Sequence, residues 1–129
     1  MTGLRILVTG SRHWTDRDTI RRALVDTIDN WTARGGCGYV TVIHGGAPGA
    51  DRIAGEIARE LRCAVEVHPA DWDRHGRRAG PIRNAEMVQA GADVCLAFPL
   101  GESRGTRGCI RLAELAGIPV HVYEGAEAT

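Results

Sequence analysis

The chain predicts an α/β fold, one doubly wound parallel sheet of about five strands with helices on both faces. Two observations predict it. Short β-branched apolar runs alternate with amphipathic helical stretches along the whole length, and each helical stretch is long enough to serve as a crossover between parallel strands. Size agrees with this: 129 residues, 43% hydrophobic and 25% charged, suit a single domain over residues 1–129 with a core of its own.

The elements follow in order. Leu4 to Thr9 is the first strand, closed by Gly10. Thr15 is placed to cap the next helix, Asp18 complements its dipole, and Ile20, Leu24, Ile28 and Trp31 form its apolar face before Gly35-Gly36. Tyr39 to His44 is the second strand, and a glycine-rich turn runs from Gly45 to Asp51. A second helix reaches about Arg62 with Ile53, Ile57 and Leu61 aligned, and Ala64 to His68 is the third strand. The polar, arginine-rich stretch from Pro69 to Gly80 reads as a loop. Pro81 suits the first turn of a helix that carries Ile82, Ala85 and Val88 and ends near Gly91. Ala92 to Phe98 is the fourth strand and Pro99 to Arg104 a loop. A helix from Thr106 to Gly117 leads into the last strand, Ile118 to Tyr123. The tail from Glu124 to Thr129 is expected to fray.

Composition narrows the function classes. Sixteen cationic and sixteen acidic residues balance to zero net charge, which argues against a protein that coats nucleic acid. All the cations are arginine, so any phosphate contact from a charged side chain is made by a guanidinium fork. The five histidines are scattered and Cys37, Cys63, Cys95 and Cys109 lack metal-type spacing, so no metal is expected. The chain starts directly on a strand-like run, and no apolar run approaches the roughly 20 residues that span a bilayer. A cytoplasmic location without a membrane partner is the expectation.

In a doubly wound sheet the chemistry sits at the carboxyl ends of the strands, near the switch in strand order. Strand one ends in Thr9-Gly10-Ser11-Arg12, strand two in His44 to Asp51, and strand four in Phe98-Pro99-Leu-Gly101-Glu102-Ser103-Arg-Gly105-Thr106. Glycines after strands two and four allow backbone N–H groups to approach an anion at the positive start of the following helix. Together with Arg12, Arg83 and Asn84 they predict a phosphate-binding pocket lined by Gly45, Gly46 and Gly49 on one side and Gly101, Ser103, Gly105 and Thr106 on the other. Asp51 has two readings, a helix cap or a partner for a ribose hydroxyl. Trp72 has two as well, a stacking surface for a base or a cover over the core. His44 closes a buried strand and reads as hydrogen-bonded structure rather than as a base. Arg74, Arg77 and Arg78 read as a solvated loop face, and Trp14 and Trp31 as packing. Cys109 near a helix start reads as a small packing residue, although that position also lowers thiol pKa values.

The segments His44-Gly-Gly-Ala-Pro-Gly-Ala-Asp51, Pro69-Ala-Asp-Trp72, Gly80-Pro-Ile-Arg-Asn84 and Ala97-Phe-Pro99 with Gly105-Thr106 closely resemble the YspA-like branch of the SLOG superfamily. The resemblance covers nearly the whole chain and implies a Rossmann-like fold that binds nucleotides or nucleotide-derived ligands, with no other cofactor. Related branches are the Lonely Guy phosphoribohydrolases, which cleave the base–ribose bond of nucleoside monophosphates, and the DNA-processing protein A family, which binds single-stranded DNA. Arg83-Asn-Ala-Glu86-Met87 is similar to the hydrolases' Arg-Lys-x-x-Met helix start, so the resemblance makes Arg83 an active-site candidate. Gly105-Thr106 is similar to the end of their Pro-Gly-Gly-x-Gly-Thr loop, here longer by two residues. Their catalytic glutamate three positions later is matched here by Cys109. N-glycosidic cleavage develops positive charge on the ribose, which a neutral thiol cannot stabilise. Hydrolysis would need Asp51, Glu86 or Glu102 in that role.

Three function classes follow, in this order: a binder of a phosphorylated nucleotide-derived ligand; a Lonely Guy-like hydrolase of a nucleoside monophosphate or ADP-ribose-like substrate, with Arg83, Asp51 and Glu86 as catalytic candidates; and a single-strand nucleic-acid binder. Neutral charge and only 5% aromatic residues weigh against the last. The helix after Gly105 carries Ile110, Leu112, Ala113, Leu115 and Ala116, more apolar positions than one sheet-facing stripe requires, which predicts a homodimer. Leu112→Glu is expected to convert that dimer to a monomer in size-exclusion chromatography, and an unchanged elution volume would contradict it.

Overall fold

The computed structural model describes residues 2–125. Its elements are β1 (Thr2–Gly10), α1 (Arg17–Ala33), β2 (Cys37–His44), α2 (Ala50–Glu60), β3 (Ala64–Val67), α3 (Trp72–His75), a 3-10 turn (Gly76–Arg78), α4 (Ala79–Ala90), β4 (Val94–Phe98), α5 (Arg104–Leu115) and β5 (Val120–Val122). The five strands are all parallel, in the order β3-β2-β1-β4-β5. The predicted α/β class is the observed one.

Alternation along β1 builds two cores. Leu4, Ile6 and Val8 face α1 and α2, meeting Ile20, Leu24, Ala54 and Ile57, while Leu7 faces the other way onto Met87 of α4 and Cys109 and Ala113 of α5. Ile6, Leu7 and Val8 are wholly buried, as a central parallel strand covered on both faces must be. Each such side chain contributes about 1.5–3 kcal/mol of burial. Cys95 and Cys109 lie in the second core as small apolar residues. Among the described residues no helix is long and apolar enough to cross a membrane.

Several local expectations shift. Asp16, not Thr15, caps α1, its carboxylate accepting the Thr19 N–H at 3.2 Å and the Thr19 hydroxyl at 2.6 Å. The stretch read as a loop from Pro69 holds α3 and the 3-10 turn, because Asp71 accepts the Arg74 N–H at 3.1 Å and starts a helical turn there. The helix α4 then begins at Ala79, which leaves Pro81 in a first turn where its missing N–H costs nothing. Ile82, Ala85 and Val88 are only half-buried, since Met87 and Asn84 take the inward direction. The helix α5 starts two residues early, at Arg104. The tail is tied further out than expected: the Gly125 N–H donates to the Pro99 carbonyl at 3.1 Å, and Glu124 pairs with Arg107. The remainder of that tail, residues 126–129, lies outside the described residues.

The ends of β1, β2 and β4 are brought together by close backbone approach. The Ser11 N–H donates to the Phe98 carbonyl at 2.9 Å, and the Ala50 N–H donates to the Ser11 carbonyl at 3.1 Å. A Cβ on Gly10 would overlap Ala50 and the Phe98 backbone. Gly49, at φ 78°, is pressed against the Ser11 carbonyl in a conformation that favours glycine. Gly10→Ala is expected to destabilise the protein by about 1–3 kcal/mol through overpacking, seen as a lower urea midpoint. An unchanged midpoint would contradict the close approach.

Candidate functional site

A cleft of about 610 Å³ opens at the carboxyl ends of the strands. It straddles β1 and β4, adjacent strands whose following helices leave to opposite faces of the sheet. The structure brings most of the predicted residues to it. Gly10, Ser11 and Arg12 line it from the end of β1, and Gly45, Gly46 and Asp51 from the β2–α2 turn. Trp72 comes from α3, Arg83 and Asn84 from α4, and Ser103, Gly105 and Thr106 from the start of α5.

Five predicted residues do not line it, each for a visible reason. His44 points into the α2 side, where its Nδ1 accepts the Gly46 N–H at 2.9 Å and a Cβ on Gly55 would approach its Nε2 to 2.6 Å. Burial lowers its pKa to about 4, helped by Arg59 and Arg83, so the ring is neutral. Gly49 faces Ser11 instead. Pro99 is buried, and Gly101 gives its carbonyl to Arg107 at 2.6 Å. Glu86 is exposed, about 100° round α4 from the mean direction of Arg83, Asn84 and Met87.

The turn after β2 is closed by its own residues. Asp51, 5% exposed, accepts the Gly45 N–H at 3.0 Å and the Ala47 N–H at 3.3 Å, both on Oδ2. His44 takes the N–H between them. All three amides are satisfied within the protein, so this turn does not offer them to an anion as its glycines predicted. Burial pushes the Asp51 carboxyl up to about 6, against the pull of Arg83 and of the two N–H groups.

The start of α5 is the opposite case. No side chain caps it, no acidic residue occupies its first turn, and its first described bond runs from the Arg107 N–H to the Ser103 carbonyl at 2.9 Å. Its first turn presents the orphan N–H groups that every helix start carries, together with the positive end of the dipole. Ser103 holds the bend at φ 40°, its hydroxyl bonded to both the N–H and the carbonyl of Leu100.

Arg83 and Asn84 join the two sides. Arg83 donates from Nη1 to the Gly45 carbonyl at 2.7 Å and from Nε to Asn84 Oδ1 at 2.9 Å. Asn84 in turn donates from Nδ2 to the Gly105 carbonyl at 3.4 Å. A Cβ on Gly45 would collide with the guanidinium, so glycine is required for Arg83 to lie there.

The sequence model of the YspA, cpYpsA-related SLOG family matches residues 4–75, from β1 through α3. A protein called "Gene 61 protein" from Mycobacterium phage D29 is 54% identical over 121 residues, 90% of this chain and 93% of the relative. The chain belongs to the YspA, cpYpsA-related SLOG family. Membership points to a nucleotide-related ligand, and the phage relative's name adds nothing on activity. No solved structure matches the chain.

In this SLOG protein Cys109 lies fully buried in the second core with Leu7, Met87 and Ala113. Burial pushes its thiol up to about 11, overriding the thiol-lowering effect of a helix start. The cleft also takes in His13, Arg52, Met87, Leu100 and Arg104, none of them singled out as a candidate site residue from the sequence. Arg52 and Arg104 neighbour recognised motif residues in first turns of helices, and that position was the available signal. With Arg12 and Arg83 they make four arginines against one carboxylate, Asp51, among the described lining residues. A chain of zero net charge thus concentrates positive charge in its cleft.

The Asp51 carboxyl binds its proton more tightly in the folded chain than in the unfolded one. Its contribution to stability is complete below about pH 4 and is lost as pH rises through about 6, on the order of 3 kcal/mol. Urea unfolding from pH 4 to 7 is expected to show the wild type losing ground to Asp51→Asn across that window. Parallel profiles would contradict the assignment.

Proposed function

We propose that this SLOG protein binds a nucleotide-derived phosphorylated ligand and releases it unchanged. The observation that carries the reading is the uncapped start of α5 beside Arg83, joined to it through Asn84 and the Gly105 carbonyl. A phosphate there meets helix N–H groups and a guanidinium at once, with Arg12 and Arg104 on the same cleft. Asp51, with Oδ1 not engaged by the hydrogen bonds on Oδ2, takes a ribose hydroxyl. The cleft's volume suits one small molecule.

A second reading, hydrolysis of an N-glycosidic bond, is favoured by one observation: Asp51 titrates near 6 in the cleft, a range suited to general acid–base work. Against it, the position of the expected glutamate holds a neutral buried thiol, and neither Glu86 nor Glu102 lines the cleft. Single-strand binding draws little support from a cleft in which Trp72 is the sole Phe, Trp or Tyr among the described lining residues. A homodimer through α5 belongs to the proposal, supported by Leu115, which is 80% exposed on that helix.

Nucleoside monophosphates are expected to raise the melting temperature and to be recovered intact by chromatography. Arg83→Ala is expected to weaken AMP binding by roughly 10- to 100-fold, the loss of a charged hydrogen-bond partner, while still unfolding cooperatively. Release of free base would establish the hydrolytic reading. Absence of any stabilisation by AMP, ADP-ribose or NAD would overturn both.

A further inference from the structure

We infer that Trp72 is the platform on which the ligand's planar base stacks, so that the cleft reads the face of the base and not its edge. This rests on the phosphate seat proposed above and fixes the other pole of the same ligand.

Trp72 is 54% exposed although it lines a ligand-sized cleft. The other two tryptophans are used in packing. Trp14 is 4% exposed and meets Phe98 edge-on at 5.4 Å, and Trp31 covers Gly36. At 54% exposure part of the indole stays open on the cleft wall and can take up a second ring. Its backbone is nonetheless held. Asp71 caps α3 through the Arg74 N–H, and the His75 N–H donates to the Asp71 carbonyl at 3.0 Å. A Cβ on Gly80 would lie 3.6 Å from the indole's Cη2, so the ring rests against the first turn of α4.

The surrounding wall explains why the face is read. Pro69, Ala70, Gly80 and Pro81 line the same cleft as the indole, with Gly80 against the ring, and bring no side-chain hydrogen-bonding group. Two of the four are prolines and lack a backbone N–H as well. Such a wall accepts an aromatic ring by stacking and dispersion and has little with which to read a Watson–Crick edge.

The spacing also fits. Gly80, under the indole, and Asn84, bonded to the Gly105 carbonyl, lie four residues apart on α4. The rise along α4 between the residue under the indole and the residue that reaches α5 is about 6 Å. A ribose linking a base to its 5′-phosphate spans a gap of that order. The class of ligand this selects is a nucleoside monophosphate unit, with tolerance at the base.

The test is calorimetric titration of AMP, GMP and ribose 5-phosphate against wild type, Trp72→Ala and Trp72→Phe. Trp72→Ala is expected to weaken AMP about tenfold or more while ribose 5-phosphate stays within about twofold, with Trp72→Phe restoring most of the loss. AMP and GMP are expected to bind the wild type with similar affinity. An edge-reading site would discriminate far more strongly, and such discrimination would overturn the inference. Equal effects of Trp72→Ala on AMP and ribose 5-phosphate, or no effect on either, would overturn it while leaving the phosphate seat standing. A wild type that binds none of the three overturns the inference together with the reading on which it rests.

Discussion

The guanidinium of Arg83 lies against the Gly45 carbonyl and the Asn84 side chain, and Asn84 reaches on to the Gly105 carbonyl. Through these three bonds the turn after β2, the second turn of α4 and the start of α5 hold one geometry across the end of β1. The arrangement is possible because Gly45 has no Cβ to occupy the guanidinium's place. Burial dominates the titration of both neighbours, and Arg83 adds to the lowering at His44, after Arg59, and opposes the rise at Asp51. A cation used this way fixes the walls of a pocket before any ligand arrives, which reduces the ordering cost of binding.

The two glycine-bearing turns have taken opposite routes with the same chemistry. After β2, the carboxylate of Asp51 and the ring of His44 satisfy the amides of Gly45, Gly46 and Ala47 from inside the protein. After β4, Ser103 ties only Leu100 and leaves the first turn of α5 uncapped. One side of the cleft is thereby a closed polar wall, and the other is an uncapped helix start, where the proposal puts the anion. In the proposed reading the phosphate goes to the start of α5 and the sugar to Asp51, while Cys109 stands as a buried thiol where the resemblance to the hydrolases expects a carboxylate.

The parallel sheet was legible in the sequence because each strand is a short apolar run followed by an amphipathic stretch, and tertiary packing had little freedom to override it. Ile6, Leu7 and Val8, apolar at three successive positions, already describe a strand buried on both faces. Boundaries set by single hydrogen bonds were not legible. Asp16 and Thr15 are both good caps, and the choice depends on which one meets the Thr19 N–H. The turn at Asp71 was hidden because its capping bond lies within a polar, arginine-rich stretch without periodicity. At the cleft, residue types pointed to the loops that line it but not to which amides were already occupied. A glycine-rich turn looks the same in sequence whether its N–H groups face an anion or a neighbouring carboxylate. Glu86 misled for a simpler reason, since proximity to Arg83 in the chain does not place it on the same side of α4.

A crystal structure of the protein grown with AMP locates the proposed anion seat. Phosphate density is expected within hydrogen-bond reach of the Gly105 and Thr106 N–H groups and of the Arg83 guanidinium, with Asp51 still bonded to Gly45 and Ala47. Phosphate bound instead on the Gly45–Ala47 turn, with Asp51 displaced from it, would contradict the account.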